Sequence, residues 1–322
     1  MLDLSSLNDA QKEAVLTCEG PLLVLAGAGS GKTRVLTYRI AHLVEDCGVA
    51  PWNILAVTFT NKAAREMRDR LSTLAAGRLR GMWIYTFHSM CVRILRSHAT
   101  VLGYSDDFTI YDTDDSKRLI KDIMADYGYT GRSFSENAMR ARISACKNEL
   151  VSPADYKPRV NDQLDKAFAE IYKAYQQRLK RANAMDFDDL LVNVYTLLSE
   201  HPDICQEYGQ RFHYILVDEY QDTNKAQYEI TKLLASGHGN LMVVGDDDQS
   251  IYSWRGADIR NILDFERDWP DTKTIKLEEN YRSTSTILQC ANAVIAHNQS
   301  RKSKELFTRG EQGEKVAVFL AA

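Results

Sequence analysis

The segment PLLVLAGAGSGKTRVL at 21–36 constrains the fold more than any other part of the chain. An apolar run (PLLVLA, 21–26) leads into a glycine-rich turn, and Lys32 and Thr33 open a helical pattern. A turn of this kind lets backbone N–H groups curl around phosphate oxygens at a helix N-terminus. Gly27, Gly29 and Gly31, with Ala28 and Ser30 between them, permit the close backbone approach. Lys32 would reach the β- and γ-phosphates, and the Thr33 hydroxyl would bind Mg²⁺. The strict pattern G-x-x-x-x-G-K-[ST] wants glycine at position 26, where this chain has Ala26. The strand before and the helix after outweigh that departure, against the alternative of a flexible glycine turn with no ligand.

Around this segment the chain alternates. ILAVTFT (54–60) and MWIYTFHS (82–89) have the continuous apolar character of buried parallel strands, with helical patterns beginning at Thr33, Asn61 and Ser89. Strand–helix–strand repetition predicts a doubly wound α/β fold with functional loops at the carboxyl ends of the strands. Residues 112–184 are charged and carry long helical patterns with no strong buried strand, which predicts a helical insertion. Strand patterns resume at YILVDEYQ (214–221), LMVVGDDDQS (241–250) and KTIKLEENYR (273–282). One helical segment and a last apolar run, VAVFLAA (316–322), expected to be a strand, follow.

A phosphate-binding turn needs carboxylates on a second strand of the sheet, to hold the metal and prepare the attacking water. YILVDEYQD supplies them, with Asp218 placed to hold Mg²⁺ and Glu219 to orient or deprotonate water. An acidic pair after a strand is on its own usually a solvated turn; beside a P-loop the catalytic reading prevails. Lys32 and Asp218 are 186 positions apart, and the helical insertion accounts for most of that distance.

Composition sets outer limits. At 322 residues and 44% apolar content the chain has room for about two domains with real cores. No window approaches the roughly 20 apolar residues of a membrane span. The start, MLDLSSLNDAQ, lacks the basic and apolar regions of a signal peptide, so cytoplasm is the default location. A formal net charge of −4 argues against a globally basic nucleic-acid binder and leaves room for a local basic channel. The six cysteines are scattered without a C-x-x-C pair, which argues against a zinc site or a disulfide framework and for free buried thiols.

With the P-loop and the acidic pair in place, further segments fall into a known order. LNDAQ (7–11), AGAGSGKT (26–33), TFTNKAAREM (58–67), TFHS (86–89), MDFDDLL (185–191), VDEYQDTN (217–224), VGDDDQSIYSWRGAD (244–258) and LEENYRS (277–283) follow one another. In these the chain resembles the superfamily 1 DNA helicases of the UvrD/PcrA/Rep type, nearer to PcrA and UvrD than to the nuclease-linked RecB type. The resemblance runs along essentially the whole chain, and the family tolerates alanine at the position of Ala26.

The resemblance implies a RecA-like P-loop NTPase with a parallel sheet and an inserted all-helical subdomain. It implies a first RecA-like domain at 1–111 and 185–279, the insertion at 112–184, and the start of a second RecA-like domain at 280–322. The activity implied is ATP-dependent, Mg²⁺-requiring 3′-to-5′ movement on single-stranded DNA, acting at single-strand/duplex junctions, with unidentified repair or replication proteins as partners and no membrane role. With the second domain cut short, weak nucleotide binding, poor hydrolysis and no unwinding are expected of this chain alone. Gln11 would read the adenine edge, and Arg34 and Tyr281 would sandwich the base. Gln249 would sit near the γ-phosphate, and Arg282 would act as an arginine finger. Competing readings are the helicase part of a RecB-like machine, a small-molecule P-loop kinase, and a degenerate ATP-binding recruitment module. The last predicts damage at Lys32, Asp218, Glu219 or Arg282, and all four are intact.

DNA handling needs sequence-blind stacking platforms beside backbone contacts. Phe59 with Asn61 and Lys62, Phe87 with His88, and Tyr252-Ser253-Trp254-Arg255 all fall just past strand ends. Trp254 is the best base platform among them, against the alternative of a half-buried core tryptophan. His88 is nearly as well explained as a hydrogen-bonded structural histidine. In MDFDDLL the carboxylates Asp186, Asp188 and Asp189 fit a helix start better than a metal site.

Overall fold

Five of the six strands of the central sheet are largely apolar runs buried at all or all but one position, as a parallel sheet covered by helices requires. A computed structural model of the chain describes residues 2–75, 77–129, 135–298 and 301–318, without the side chain of Arg255. The strands in chain order are β1 (Leu22–Ala26), β2 (Ile54–Thr58), β3 (Trp83–Thr86), β4 (Thr109–Tyr111), β5 (Ala184–Asp186), β6 (Tyr214–Val217), β7 (Leu241–Gly245) and β8 (Lys273–Leu277). Six of them form one sheet in the order β3-β2-β6-β7-β1-β8, and every described pairing in it is parallel. The register sets Leu22 of β1 beside Met242 of β7 and Lys273 of β8, which places β1 and the turn after it inside the sheet. This is the expected mixed α/β, RecA-like architecture.

The chain divides into two compact units. The first comprises Met1–Thr86, Glu207–Thr223 and Leu234–Ala322 and holds the six-stranded sheet. Its core joins Leu22, Val24, Val35, Leu36, Ile40, Ile54, Ala56, Leu216, Met242 and Val244. The second comprises Phe87–Gln206 and Asn224–Leu233. It includes the whole 112–184 stretch expected to be helical, together with residues on either side. Helices Thr113–Asp126, Glu136–Asn148 and Gln163–Arg181 pack Ile120, Ile123, Ile143, Phe168, Ile171, Tyr175 and Leu179 into its core. β4 and β5 pair in parallel there, with Thr109 opposite Ala184.

Three expectations need correction. The run MWIYTFHS is a strand only to Thr86, and the next helix starts at Phe87 rather than Ser89. Its apolar character continues through the junction because Phe87 is itself a core residue, so hydrophobicity alone conceals the boundary. In the last apolar run, 316–318 carry no strand, and 319–322 lie outside the described residues. Of the six free thiols only Cys91 is buried, and Cys18 and Cys47 lie together rather than scattered.

In the second unit the carboxylates of MDFDDLL start a helix, as expected. Asp186 is the N-cap of Phe187–Glu200 and forms a reciprocal capping box with Asp189. Lys147 Nζ reaches Asp186 Oδ2 at 2.7 Å and Asp189 Oδ1 at 2.8 Å, a buried cation between two buried carboxylates. Tyr175 donates to the same Asp186 oxygen at 2.8 Å. No described helix is long and apolar enough to cross a membrane.

Candidate functional site

The helix Lys32–Glu45 begins without a side-chain cap, its N-cap being Gly31 at φ 91°. The helices Asp9–Leu16, Asn61–Leu74 and Gln163–Arg181 are capped by the side chains of Asn8, Thr60 and Asp162. Uncapped first-turn N–H groups at the end of a buried strand form a ready anion site. Gly29 also has positive φ, 71°, and a Cβ there would come within 2.7 Å of Arg282 Cβ. A side chain at Gly31 would meet Gln11 Nε2 at 2.8 Å. Both glycines are therefore required by conformation and by space.

The turn borders a cavity of about 500 Å³ lined by Ala28, Gly29, Gly31, Lys32, Thr33, Arg34, Arg70, Glu219, Gln249, Tyr281 and Arg282. The structure thus brings ten of the residues expected to bind or turn over nucleotide to one opening in the first unit, with Ala28, Gly29 and Gly31 of the turn among them. Lys32 Nζ lies 3.1 Å from Glu219 Oε2. Glu219 has left-handed backbone, φ 50° and ψ 46°, unusual for a residue with a side chain and a form of strain that concentrates at functional positions.

Next to Glu219, Asp218 is buried, and its carboxyl is pushed up to about 7 by burial and the charge of Glu219, with Lys32 opposing. Asp222 is raised to about 6 by burial and then by Glu219, and its Oδ1 is buried without a hydrogen-bond partner. Gln221 ties this loop together: its Nε2 donates to Glu219 Oε2 at 3.0 Å and to Asp222 Oδ2 at 3.1 Å, and its Oε1 accepts from Asp246 N at 3.0 Å. A crowded set of carboxylates, one partly protonated near neutrality and one with an orphaned oxygen, is the environment a divalent cation would relieve.

Other expected residues sit differently. Gln11 is buried behind the turn; its Nε2 donates to Ser30 O at 2.9 Å and its Oε1 accepts from Asn8 N at 3.2 Å, so its amide is engaged inside the fold and does not line the cavity. Ser30 and Gly27 close the turn on themselves, Ser30 Oγ donating to Gly27 O at 2.7 Å. Arg34 and Tyr281 both line the cavity, with the Arg34 guanidinium 5.7 Å from the Tyr38 ring and the Tyr281 hydroxyl accepting from Asn8 Nδ2 at 2.8 Å. Gln249 donates to the Asp246 carboxylate.

Two residues without an assigned role prove central. Asn280 is buried and donates from Nδ2 to Ala28 O at 2.5 Å, while its Oδ1 accepts from Arg282 N at 2.8 Å and Ser283 N at 2.7 Å. Tyr281 N donates to Gly29 O at 3.0 Å. These bonds hold Tyr281 and Arg282 against the P-loop. Arg70 adds a cation to the cavity from the exposed face of an amphipathic helix, where no motif marked it.

The acidic run after β7 is not a cation site. Lys304 Nζ lies 2.9 Å from Asp246 Oδ1 and 2.8 Å from Asp248 Oδ2 and also contacts Asp247, while Arg301 Nη2 meets Asp248 Oδ2 at 2.7 Å. Burial works against the Lys304 charge, but these carboxylates hold its ammonium above the usual range.

In the same unit, aromatic rings gather past β2 and β7. Phe59 and Tyr252 have centroids 5.3 Å apart, and Tyr252 and Trp254 6.3 Å. Trp254 is 71% exposed, which rules out the core-tryptophan alternative. Asn61 and Lys62 are exposed at the start of the following helix, and the Arg255 side chain lies outside the described part. In the second unit Phe87 is only 4% exposed and presents no ring face, so the expected stacking role is withdrawn there. His88 packs edge-on against Phe187 at 5.9 Å, and burial holds its imidazole below the usual range.

Comparison with known proteins gives the same picture. A family described as the UvrD/REP helicase N-terminal domain matches residues 7–270, and the UvrD-like helicase C-terminal domain matches 275–322. The chain is 52% identical over 318 residues to the ATP-dependent DNA helicase PcrA of Staphylococcus aureus. It is 51% identical over 318 residues to PcrA of Staphylococcus epidermidis. Each comparison covers 99% of this chain and 44% of the relative, so the chain spans less than half the length of these relatives.

Proposed function

We propose, since the chain belongs to the UvrD/REP helicase family, that it is the nucleotide-binding part of an ATP-dependent DNA helicase that moves 3′ to 5′ on single-stranded DNA. The observation that carries this reading is the cavity in which Lys32 and Glu219 face each other with Arg282 on its wall. Uncapped N–H groups after Gly31 and the Lys32 ammonium bind the β- and γ-phosphates. Arg34 and Tyr281 hold the base. Glu219 orients the attacking water and takes its proton, and Arg282 stabilises charge developing on the transferred phosphoryl group. The crowded, partly protonated carboxylates fit a Mg²⁺ held by Thr33 and Asp218, which would offset phosphate charge when bound. That the 52% identical relatives are ATP-dependent DNA helicases supports ATP as substrate and DNA as partner.

Residues 1–111 and 185–279 are assigned to a first RecA-like domain, 112–184 to a helical insertion and 280–322 to the beginning of a second. Phe59, Tyr252 and Trp254 form the stacking platform for single-stranded DNA, which the motor meets at single-strand/duplex junctions in the cytoplasm. Coupling runs from the γ-phosphate through Gln249, three residues from Tyr252.

The reading is tested by titrating the chain with a fluorescent ATP analogue and Mg²⁺. Wild type is expected to bind and Lys32→Ala to bind at least tenfold more weakly, with both variants equally folded by circular dichroism. Equal affinities would remove Lys32, and with it the P-loop reading.

A further inference from the structure

Far along the P-loop helix from the phosphates, three side chains converge that the ATP reading does not use. Cys18 precedes β1, His42 lies in the last turn of Lys32–Glu45, and Cys47 follows that helix directly. Cys18 Sγ and Cys47 Sγ are 3.7 Å apart, and Cys47 Sγ is 3.5 Å from His42 Nε2. One donor atom from each of the three lies within 4.8 Å of the others. A disulfide needs about 2.05 Å between sulfurs. Around a tetrahedral zinc, with Zn–S about 2.3 Å and Zn–N about 2.0–2.1 Å, two sulfurs stand roughly 3.8 Å apart and a sulfur and a nitrogen roughly 3.6 Å. The observed separations are those of ligands on one ion.

The surroundings point the same way. His42 Nδ1 is 2.8 Å from Asp46 Oδ2. A proton on Nδ1 donated to that carboxylate leaves the Nε2 lone pair facing the sulfurs, the orientation metal-ligating histidines take from a carboxylate partner. Asp46 is itself fixed by Leu2 N, at 3.0 Å from its Oδ1. The last carbonyls of a helix favour a cation nearby. Cys18 is held from behind by Arg39, whose Nη2 donates to Cys18 O at 3.0 Å. Zinc is held by thiolates, so its binding releases the thiol protons of the two cysteines.

We infer that Cys18, His42 and Cys47 form a zinc site, with water in the fourth position, that staples the segment entering β1 to the C-terminal end of the P-loop helix. Two thiolates and an imidazole are the soft donor set that selects zinc over magnesium or calcium. With about 1.5 Å of rise per residue, His42 is roughly 15 Å along the helix from Lys32, so the ion acts on structure rather than on phosphoryl transfer. The inference stands independently of the nucleotide reading.

The test uses the intact chain, reduced and stripped of metal, with zinc or cobalt(II) alone as the probe. One zinc per chain by mass spectrometry, and a cobalt spectrum with tetrahedral d–d and thiolate charge-transfer bands, are expected. Zinc should raise the melting temperature of wild type. Cys18→Ser and Cys47→Ser should each lose the charge-transfer signature or bind at least tenfold more weakly, and Asp46→Asn should weaken binding by about 10- to 100-fold. The exposure of Cys47 makes its replacement compatible with folding, and circular dichroism checks this. Zinc bound equally by the Cys18→Ser/Cys47→Ser double variant would overturn the site. So would a reduced chain that binds no cobalt and instead closes a Cys18–Cys47 disulfide in air.

Discussion

Lys32 Nζ lies 3.1 Å from Glu219 Oε2, so the cation proposed to meet the phosphates is paired with the carboxylate proposed to orient water. On that proposal, phosphate oxygens would compete for Lys32 and leave Glu219 available as the base. Glu219→Gln keeps the shape and removes both the base and one negative charge beside the phosphates. Nucleotide affinity should therefore hold or rise, while phosphate release falls by about 10²- to 10⁴-fold. Fluorescent-nucleotide titration and a phosphate-release assay on one preparation check both halves; turnover at the wild-type rate would remove Glu219 as base.

Trp254 is exposed, and both its ring and that of Phe59 lie near the ring of Tyr252, at 6.3 Å and 5.3 Å between centroids. Replacing it with alanine should leave stability and nucleotide affinity nearly unchanged. Single-stranded DNA affinity should fall by about 1–3 kcal/mol, roughly 5- to 150-fold, as expected for a lost stacking platform. Fluorescence anisotropy with a short labelled oligonucleotide reads the change. Unaltered DNA affinity would assign the exposed ring some other purpose.

What the sequence disclosed follows from the range of the interactions involved. Sheet strands and the P-loop were legible because burial on both faces and a glycine turn leave local signatures. Asn280 stood inside a recognised segment without a role, because its partner Ala28 O is 252 positions away and only the β1–β8 pairing brings them together. Arg70 was missed because a cation on an exposed helix face looks like solvation. Cys18, His42 and Cys47 escaped notice because no local spacing links them; the P-loop helix carries the second and delivers the third to the first. Gln11 and Phe87, given ligand roles from their motifs, are both buried in the fold. A motif gives a residue's neighbourhood, whereas its free atoms depend on packing.

The Lys147 ammonium is buried between Asp186 and Asp189 in the second unit. Burial and the neighbouring Asp186 raise the Asp189 carboxyl to about 6, with Lys147 opposing; the same cation holds Asp186 below its usual value against burial. Lys147→Ala strands both carboxylates and should cost about 3–5 kcal/mol near pH 8. Without the cation, both folded-state carboxyls rise above their unfolded values, so the folded variant binds more protons and gains stability as pH falls. The deficit should therefore shrink between pH 8 and pH 5. Urea denaturation of wild type and variant at both pH values tests this, and a deficit that grows on acidification would contradict it.

Asn280 tests whether the cavity wall is assembled from a distance. Its amide donates to Ala28 O at 2.5 Å and accepts from Arg282 N and Ser283 N, so one side chain sets the approach of Tyr281 and Arg282 to the P-loop. Asn280→Ala leaves a buried carbonyl and two N–H groups to find other partners, at a cost of about 1–3 kcal/mol for each one left unsatisfied. Nucleotide affinity should drop about tenfold, because Tyr281 and Arg282 are no longer held in place. Asn280→Asp separates the two halves of the role: it keeps the acceptor for Arg282 N and Ser283 N but cannot donate to Ala28 O when ionised, and it sets a carboxylate beside a phosphate turn. It should bind nucleotide more weakly than Asn280→Ala despite its closer shape. Equal binding by wild type and both variants would mean that the β1–β8 pairing alone positions Tyr281 and Arg282.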